Sequence, residues 1–504
     1  MKKLRDIGTW EEVDRDPKQG IPLPLKWVYT YKHDADNEVC EVKARICVRG
    51  DMQPLDPLQN TYASTLAAKA FRLVMAIAAQ FDLEADQYDA INAFLNAPLK
   101  SEKPVIVELP EGYKVTGKVG KLQRALYGLR DSPILWFQTF TSILRSMNMI
   151  YSYEEICIYQ TADRKVMLVF YVDDFIVLYH RDDRETAQGI VDGIKEYINL
   201  KENGPINYFL GVRILRDRTA RKVYLVHDAY IERVAKRFDL MDSLHPATPL
   251  PQDEFKPNEG QATKEEIKSY QEKVGSVLYT AIMIRPDVAF ACSQLSRFLT
   301  NPSATHIKAI NHCIRYLYAT RYLALCYGSV PSAQSLLLAG DASFADDEVT
   351  RRSSQGYIMF LFGGPIQWKS ARQATVTTST TEAELLCLEE TAKETMALKR
   401  LFKDIALDLG EVWSVNCDNQ QTIRLVVGEG ERIATRLRHI DIQNMWLRQE
   451  HARGSFEVAY MSTEDMPADG LTKNLSRAKF EHFRTLLNLY DAREVIMNSQ
   501  NSQK

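Results

Sequence analysis

The clearest pattern in the chain is a pair of apolar runs, MLVFYV and FIVLY, split by Asp173 and Asp174 within 166–179. Each run has the length and β-branched or aromatic content of a buried strand. Upstream, LPLKWVYTYKHDADNEVCEVKARICVRG holds two β-rich runs around the polar segment 32–38, which predicts a hairpin. TLAAKAFRLVMAIAAQF, 65–81, switches to helical composition. A strand-to-helix transition is expected over 86–94, and a Gly/Pro loop leading into a helix over 126–144.

Beyond the strand pair, the Pro-rich segment 242–260 is the best linker candidate. Helical segments follow over 264–320, broken at RPD and NPS. A third region opens near Ser335 with LLLAGDASFADD, continues with strand-like YIMFLFGG and IQWK, and enters a helix at STTEAELL. The polar tail MNSQNSQK is expected to be disordered.

Length and composition narrow the classes. The 504 residues predict two to four domains, and 45% hydrophobic content supplies sizeable cores rather than disorder. No uncharged apolar run approaches the ~18 residues of a membrane span, and the N-terminus MKKLRDIGTWEEVDRD lacks the apolar core of a signal peptide. Eight isolated cysteines form no Cys-x-x-Cys pair, so reduced, mostly buried thiols are expected rather than a disulfide framework or zinc ribbon. A net charge of −3 excludes a generally basic coat but allows a basic groove beside acidic pockets.

Two acids between apolar strands have a plain reading as a turn, since Asp is common there. The pair has no Gly or Asn to favour a tight primed hairpin. The flanks are apolar on both faces, which sets the carboxylates near a core, where they repel unless a cation compensates. Mg²⁺ suits an all-oxygen site. Phosphoryl transfer by two ions about 3.5–4 Å apart needs a further carboxylate; Asp89 in QYDAINAFLN is the candidate, with Asp86 its competitor.

In the last third, acids again stand at element boundaries: Asp341 after LLLAG, Glu382 and Glu384 at a helix start, Asp418 after a strand-like run, and Asp465 and Asp469 before the final helix. Capping accounts for Glu382 and Asp465. The other four could gather at one end of a sheet.

YVDD (171–174), DAINAFLNA (89–97) and LYGLRDSPILWF (126–137) together resemble the reverse transcriptase of Ty1/copia-type retrotransposons. The resemblance continues through KWVYTYK, VKARICVRG, NYFLGVRI, VGSVLYTAIMIRPDVAFACSQLSRFLTNP and IRYLYAT, so it covers nearly the whole chain. It implies an α+β multidomain fold: a right-hand polymerase with fingers, palm and helical thumb or connection, followed by an α/β ribonuclease H-like domain. The implied boundaries are 1–245 for fingers and palm, 246–330 for thumb and connection, 331–490 for the nuclease domain, and 491–504 for a disordered tail.

The resemblance further implies that Asp89, Asp173 and Asp174 are the catalytic metal ligands of the polymerase, and Asp341, Glu384, Asp418 and Asp469 those of the nuclease, with two Mg²⁺ ions in each. Phe94 would face the sugar of the incoming nucleotide, with an ordinary core Phe as the alternative. Lys43 and Arg45 would meet the triphosphate, with an exposed cross-strand pair as the alternative. Tyr171, Val172, Gly128, Ser132 and Pro133 would line nucleotide and template, Asn419 and, beside it, Ser379 would touch the hybrid, and His439 would make a structural or substrate-side contact. Arg351, Arg352, Lys369, Arg372, Arg432, Arg436 and Arg438 are either phosphate contacts or a solvated face.

The implied activity is RNA-directed DNA polymerisation with degradation of the RNA of the hybrid. The implied partners are an RNA template, a DNA or RNA primer, the RNA–DNA hybrid and deoxynucleoside triphosphates, inside the cell, in cytoplasmic virus-like particles with access to the nucleus. Asp131 stands where the family has Gln and Ile134 where it has Arg, and Ser343 replaces an expected Asp. An added anion and a lost cation near a phosphate path weaken binding. They motivate a rival reading, a decayed or co-opted element that holds template and primer without polymerising and retains at most the nuclease.

Overall fold

Asp174–Tyr179 lies at the centre of a six-stranded antiparallel sheet, between Glu84–Ala90 on one side and Val166–Tyr171 on the other. Leu200–Pro205 extends the sheet beyond Glu84–Ala90, and Ile158–Gln160 and Ile150–Tyr151 extend it at the far edge. The computed structural model describes residues 2–33, 38–54, 61–99, 104–242, 244–252, 255–328, 335–410, 412–428 and 438–501. These fall into two units, Met1–Ala67 with Glu84–Ile206, and Ala68–Leu83 with Asn207–Lys504.

In the first unit the central strand is apolar on both faces, and Phe175 through Tyr179 are all buried. Two-sided burial explains why its sequence is a continuous apolar run rather than an alternating one. The helix Ser132–Ser146 seals one face; Phe140 stacks on Trp136 and meets Phe170 and Phe175 at ring-centroid distances of 5.2 and 5.6 Å. Truncating a ring so enclosed costs about 3–5 kcal/mol. Pro133 sits in the helix's first turn, where its missing N–H has no intrahelical partner to lose. Leu25–His33 pairs with Val39–Val48 as the expected hairpin, whose turn, 34–37, lies outside the described residues.

The second unit carries the helices Lys264–Met283, Ala289–Ser296 and Ala304–Ala319, a five-stranded antiparallel sheet (Tyr208–Phe209, Val212–Asp217, Lys222–Val226, Leu323–Tyr327, Leu489–Asp491) and a second, mixed sheet. Thr263 and Glu266 cap the first helix reciprocally. At the RPD break, Arg285 and Asp287 form a wholly buried ion pair (2.7 Å), and the Tyr316 hydroxyl donates to Asp287 (2.6 Å). The mixed sheet runs Gly364–Arg372, Ser354–Leu361, Leu336–Ser343, Ser414–Cys417, Glu457–Tyr460; the first three are antiparallel and the last two join in parallel. The helix Thr380–Asp404 lies across it. Both units are therefore mixed α/β.

Three expectations need correction. Residues 68–83 and 207–245 were expected with fingers and palm but belong to the second unit. The physical tie is Arg72 on the helix Ala68–Gln80, whose guanidinium donates to the carbonyls of Ile366 (2.7 Å), Ile282 (2.6 Å) and Met283 (2.8 Å). The Pro-rich segment 242–260 has no helix or strand among its described residues but is packed rather than a tether: Leu250 is buried, and His312 Nε2 is 2.9 Å from the Thr248 carbonyl oxygen. The tail from 491 is ordered through Asn501, because Asp491 ends a strand paired with Leu323–Tyr327 and Arg493–Asn501 is helical, with Ile496 buried beside Ala492.

Candidate active sites

The Val166–Tyr171 and Asp174–Tyr179 strands join through a two-residue turn, Val172–Asp173. No Gly or Asn favours it, yet the turn is tight. Val172 takes a φ of +57°, a strained value for a β-branched residue. Neighbouring groups hold it: the Trp136 indole N–H donates to the Val172 carbonyl (2.6 Å), and the Ala90 N–H donates to the Asp173 carbonyl (2.8 Å). The register sets Asp89 directly opposite Asp174. All three carboxylates thus collect at one end of the central strands, and each is partly exposed. Asp86 turns elsewhere, accepting from the Tyr179 hydroxyl (2.5 Å). The donor set is all carboxylate oxygen, which fits a hard divalent ion such as Mg²⁺.

Around this centre, Phe94 meets the Tyr127 ring edge-on at 4.9 Å, and the Arg45 guanidinium lies over that ring at 5.7 Å. Burial pushes the Tyr127 phenol up, with the Asp173 and Asp89 charges adding to the shift. Lys43 and Arg45 share one face of their strand; Lys43 pairs with Glu41 (3.6 Å) and Arg45 reaches Thr30 (3.4 Å). Gly128 has a φ of +88°, and a Cβ there would lie 2.2 Å from the Val48 carbonyl oxygen, so only glycine fits. Tyr171 and Val172 are half-buried and Pro133 is exposed. Ser132 is a correction: it is 1% exposed and its hydroxyl donates to the Leu126 carbonyl (2.6 Å), so it braces the loop and is not free to touch substrate. Asp131 also turns inward, with Oδ2 3.5 Å from Gln53 Nε2.

In the second unit, Asp341 lies two residues before the end of the central strand of the mixed sheet, Leu336–Ser343, Glu384 lies in the first turns of the Thr380–Asp404 helix, Asp418 follows the Ser414–Cys417 strand, and Asp469 opens a short 3-10 turn. Lys473 joins two of them, pairing with Asp469 and lying 3.6 Å from Asp341. The Thr472 hydroxyl also donates to Asp341, and the Thr463 hydroxyl donates to Asp418 (2.8 Å). Glu384, Cys417 and Asp418 offer ligand atoms within 4.8 Å of one another. Glu384 Oε1 accepts from the Ala342 N–H (3.4 Å), while Oε2 is buried without a hydrogen bond.

Burial foremost, then the charges of Asp341 and Asp418, pushes the Glu384 carboxyl up to about 9. Burial pushes Asp341 up to about 6 against the opposing pull of Lys473 and Thr472. An orphaned carboxylate oxygen, mutually repelling acids and a lysine ammonium already drawn between two of them all fit a divalent cation.

Sequence reasoning missed Lys473, Thr472 and Cys417. A lysine four residues after Asp469 was the available signal for the first. Ser379 and Asn419 are helix N-caps, accepting from the N–H groups of Glu382 (3.1 Å) and Thr422 (3.0 Å). Glu382 caps in return, as expected, accepting from the Thr378 N–H (2.7 Å). Arg372 pairs with Asp347 and Lys369 with Glu390. His439 and Arg438 begin the helix Arg438–Ala452, but their side chains, like all of Arg432 and Arg436, lie outside the described residues.

Paired aspartates at a tight turn face a third across the sheet, and residues 7–252 match the family described as reverse transcriptase (RNA-dependent DNA polymerase). The chain belongs among the copia-type retrotransposon reverse transcriptases. It is 34% identical over 505 residues to the retrovirus-related Pol polyprotein from transposon TNT 1-94 of Nicotiana tabacum, covering 97% of this chain and 37% of that protein. It is 27% identical over 482 residues to the corresponding polyprotein from transposon RE1 of Arabidopsis thaliana, covering 94% and 32%. The chain thus spans about a third of the length of these relatives. A solved structure of the foamy viral protease-reverse transcriptase in complex with double-stranded DNA is 15% identical, with a TM-score of 0.47, over 91% of this chain and 68% of that one.

Proposed function

We propose that this chain extends a primer on an RNA template with deoxynucleoside triphosphates and cleaves the RNA strand of the resulting hybrid, the two reactions occurring at separate carboxylate centres. The observation that carries the reading is the opposition of Asp89 and Asp174 beside the Val172–Asp173 turn. Asp341, Glu384, Asp418 and Asp469 are the second centre.

Asp89, Asp173 and Asp174 would hold two Mg²⁺ ions, and the four acids of the second unit another two. Bound there, the ions would activate the attacking oxygen and neutralise charge on the leaving one. The chain's own side chains position the substrates. Lys43 and Arg45 offer cations from one strand face to the triphosphate. Phe94, fixed by Tyr127, presents a ring against the sugar, where a 2′-hydroxyl distinguishes RNA from DNA monomers. Lys473 holds Asp341 and Asp469 in place as a cation.

The rival reading, binding without polymerisation, rests on Asp131 and Ile134. The inward turn of Asp131 toward Gln53 weakens it, since that carboxylate does not project onto a phosphate path. Primer extension and hybrid cleavage by the purified chain with Mg²⁺ test the proposal. Extension abolished by Asp173→Asn with cleavage intact, and the reverse for Asp418→Asn, is the expected result. Extension that survives Asp173→Asn refutes the palm assignment.

A further inference from the structure

A cavity of about 540 Å³ in the second unit lies apart from the four nuclease acids, against the helix Ala289–Ser296 and the strand Gly364–Arg372. Arg72, Arg297 and Arg372 line it, with Ser293, Asp347 and Trp368. Its charge is unbalanced. Asp347 is the single carboxylate in the lining, and it is shared by Arg297 (2.7 Å) and Arg372. The neighbouring Asp346 is taken by Ser354, accepting from its N–H (2.6 Å) and hydroxyl (2.7 Å), and Lys369 is neutralised by Glu390. Three guanidinium groups therefore face one carboxylate.

Arg72 is the unusual member. It is 3% exposed, and its ring partner is Trp368, 4.0 Å from the guanidinium carbon. Its Nε and Nη1 donate to three backbone carbonyls, which leaves Nη2 for the cavity. No acidic side chain stands among the charges acting on it, and burial pulls its guanidinium down to about 10. A buried cation without an anion is costly unless something supplies the charge. Carbonyl dipoles and an aromatic face supply part of it. The Ser293 hydroxyl, also in the lining, has no hydrogen-bond partner among the described residues.

We propose that this cavity binds a phosphate-bearing ligand of nucleotide size, whose oxygens bridge Arg72, Arg297 and Arg372 and accept from Ser293. Guanidinium forks match phosphate oxygens in pairs, and three of them lining one cavity suit a phosphate better than a single carboxylate. The ligand's source is either a free nucleotide or the backbone of a nucleic acid; the shared chemistry is the phosphate. The site is independent of both carboxylate centres.

The test uses the full chain in EDTA, so that divalent ions do not contribute, with inorganic pyrophosphate as the probe in calorimetric titration. One saturable site is expected, accompanied by a rise in Tm. Arg297→Gln should weaken binding at least tenfold, and Ser293→Trp, which fills the cavity without removing a charge, should abolish it. The Asp173→Asn/Asp418→Asn chain should bind as the parent does, which separates failure here from failure of the proposed activities. Displacement of pyrophosphate by ADP alone identifies a free nucleotide as the source, and displacement by a short single-stranded oligonucleotide identifies backbone phosphate. Absence of saturable binding, or binding that Ser293→Trp leaves unchanged in a chain of unaltered Tm, overturns the proposal and reduces Arg72 to a clamp between chain segments.

Discussion

Asp89 and Asp174 occupy directly opposed positions in one antiparallel strand pair, so their side chains leave the same face of the sheet at the same end. Strand register alone brings together acids 85 residues apart in sequence.

That relationship makes Asp174→Asn a sharp substitution. It keeps the shape of the side chain and removes one negative charge from the group. Primer extension should fall by at least about a hundredfold, the scale seen when a preorganised electrostatic group is lost, while hybrid cleavage stays unchanged. A gel assay of both reactions on one preparation reads the two outcomes together.

Trp136 is a positioning residue for the same turn. Trp136→Phe removes the donor to the Val172 carbonyl and should cost about 1–2 kcal/mol in urea unfolding. Because the indole touches the turn and no reacting atom, extension should slow with hybrid cleavage unaltered. Val172→Gly relieves the strain of φ +57°, so it should stabilise by up to about 1 kcal/mol while loosening the aspartates and lowering extension.

The nuclease acids predict a pH dependence. Glu384, raised from an unfolded value near 4.3 to about 9, favours the fold while protonated and opposes it increasingly as pH rises between those values. Asp341, raised to about 6, acts the same way over a narrower window. The metal-free chain should therefore lose Tm between pH 5 and pH 9, values chosen to bracket these shifts. Mg²⁺, which needs the ionised carboxylates, should restore more Tm at the alkaline end than near pH 6. Glu384→Gln should flatten the decline and blunt the Mg²⁺ response, as read by thermal melts across pH.

The buried Arg285–Asp287 pair sets a further expectation. Arg285→Met strands a carboxylate that has no solvent and only the Tyr316 hydroxyl for company. The loss should be about 3–5 kcal/mol, seen as a lower Tm, and Arg285→Met/Asp287→Leu should recover part of it.

Local chemistry explains which features were legible in the sequence. The strand pair around Asp173 and Asp174 could be read because both-sided burial writes an unbroken apolar run, and the helix Ala68–Gln80 because Ala, Leu and Met crowd it. The cap formed by Glu382 could be read as well, since it bonds within a few residues of itself, whereas Asp465 caps no helix and accepts from the Ser462 hydroxyl in a turn. Long-range facts were hidden. Nothing near Arg72 indicates carbonyl partners more than 200 residues away, and the polarity of 242–260 hid the buried Leu250. Ser132 and Asn419 misled because a hydroxyl or amide looks the same in a sequence whether it is offered to a ligand or spent on the backbone.

The excursion of Ala68–Leu83 into the second unit bears on biosynthesis. On the ribosome this helix emerges before the Ile366 carbonyl that Arg72 binds, which follows 294 residues later. Its wholly enclosed residues, Phe71, Val74 and Ala76 among them, must therefore wait until the intervening segments are made before their final neighbours exist. A nascent chain carrying such an unsatisfied apolar segment invites chaperone capture and slow maturation. For the same reason a recombinant fragment beginning at Asn207 would lack an internal piece of its own unit, and supplying residues 68–83 as a separate peptide should improve its solubility.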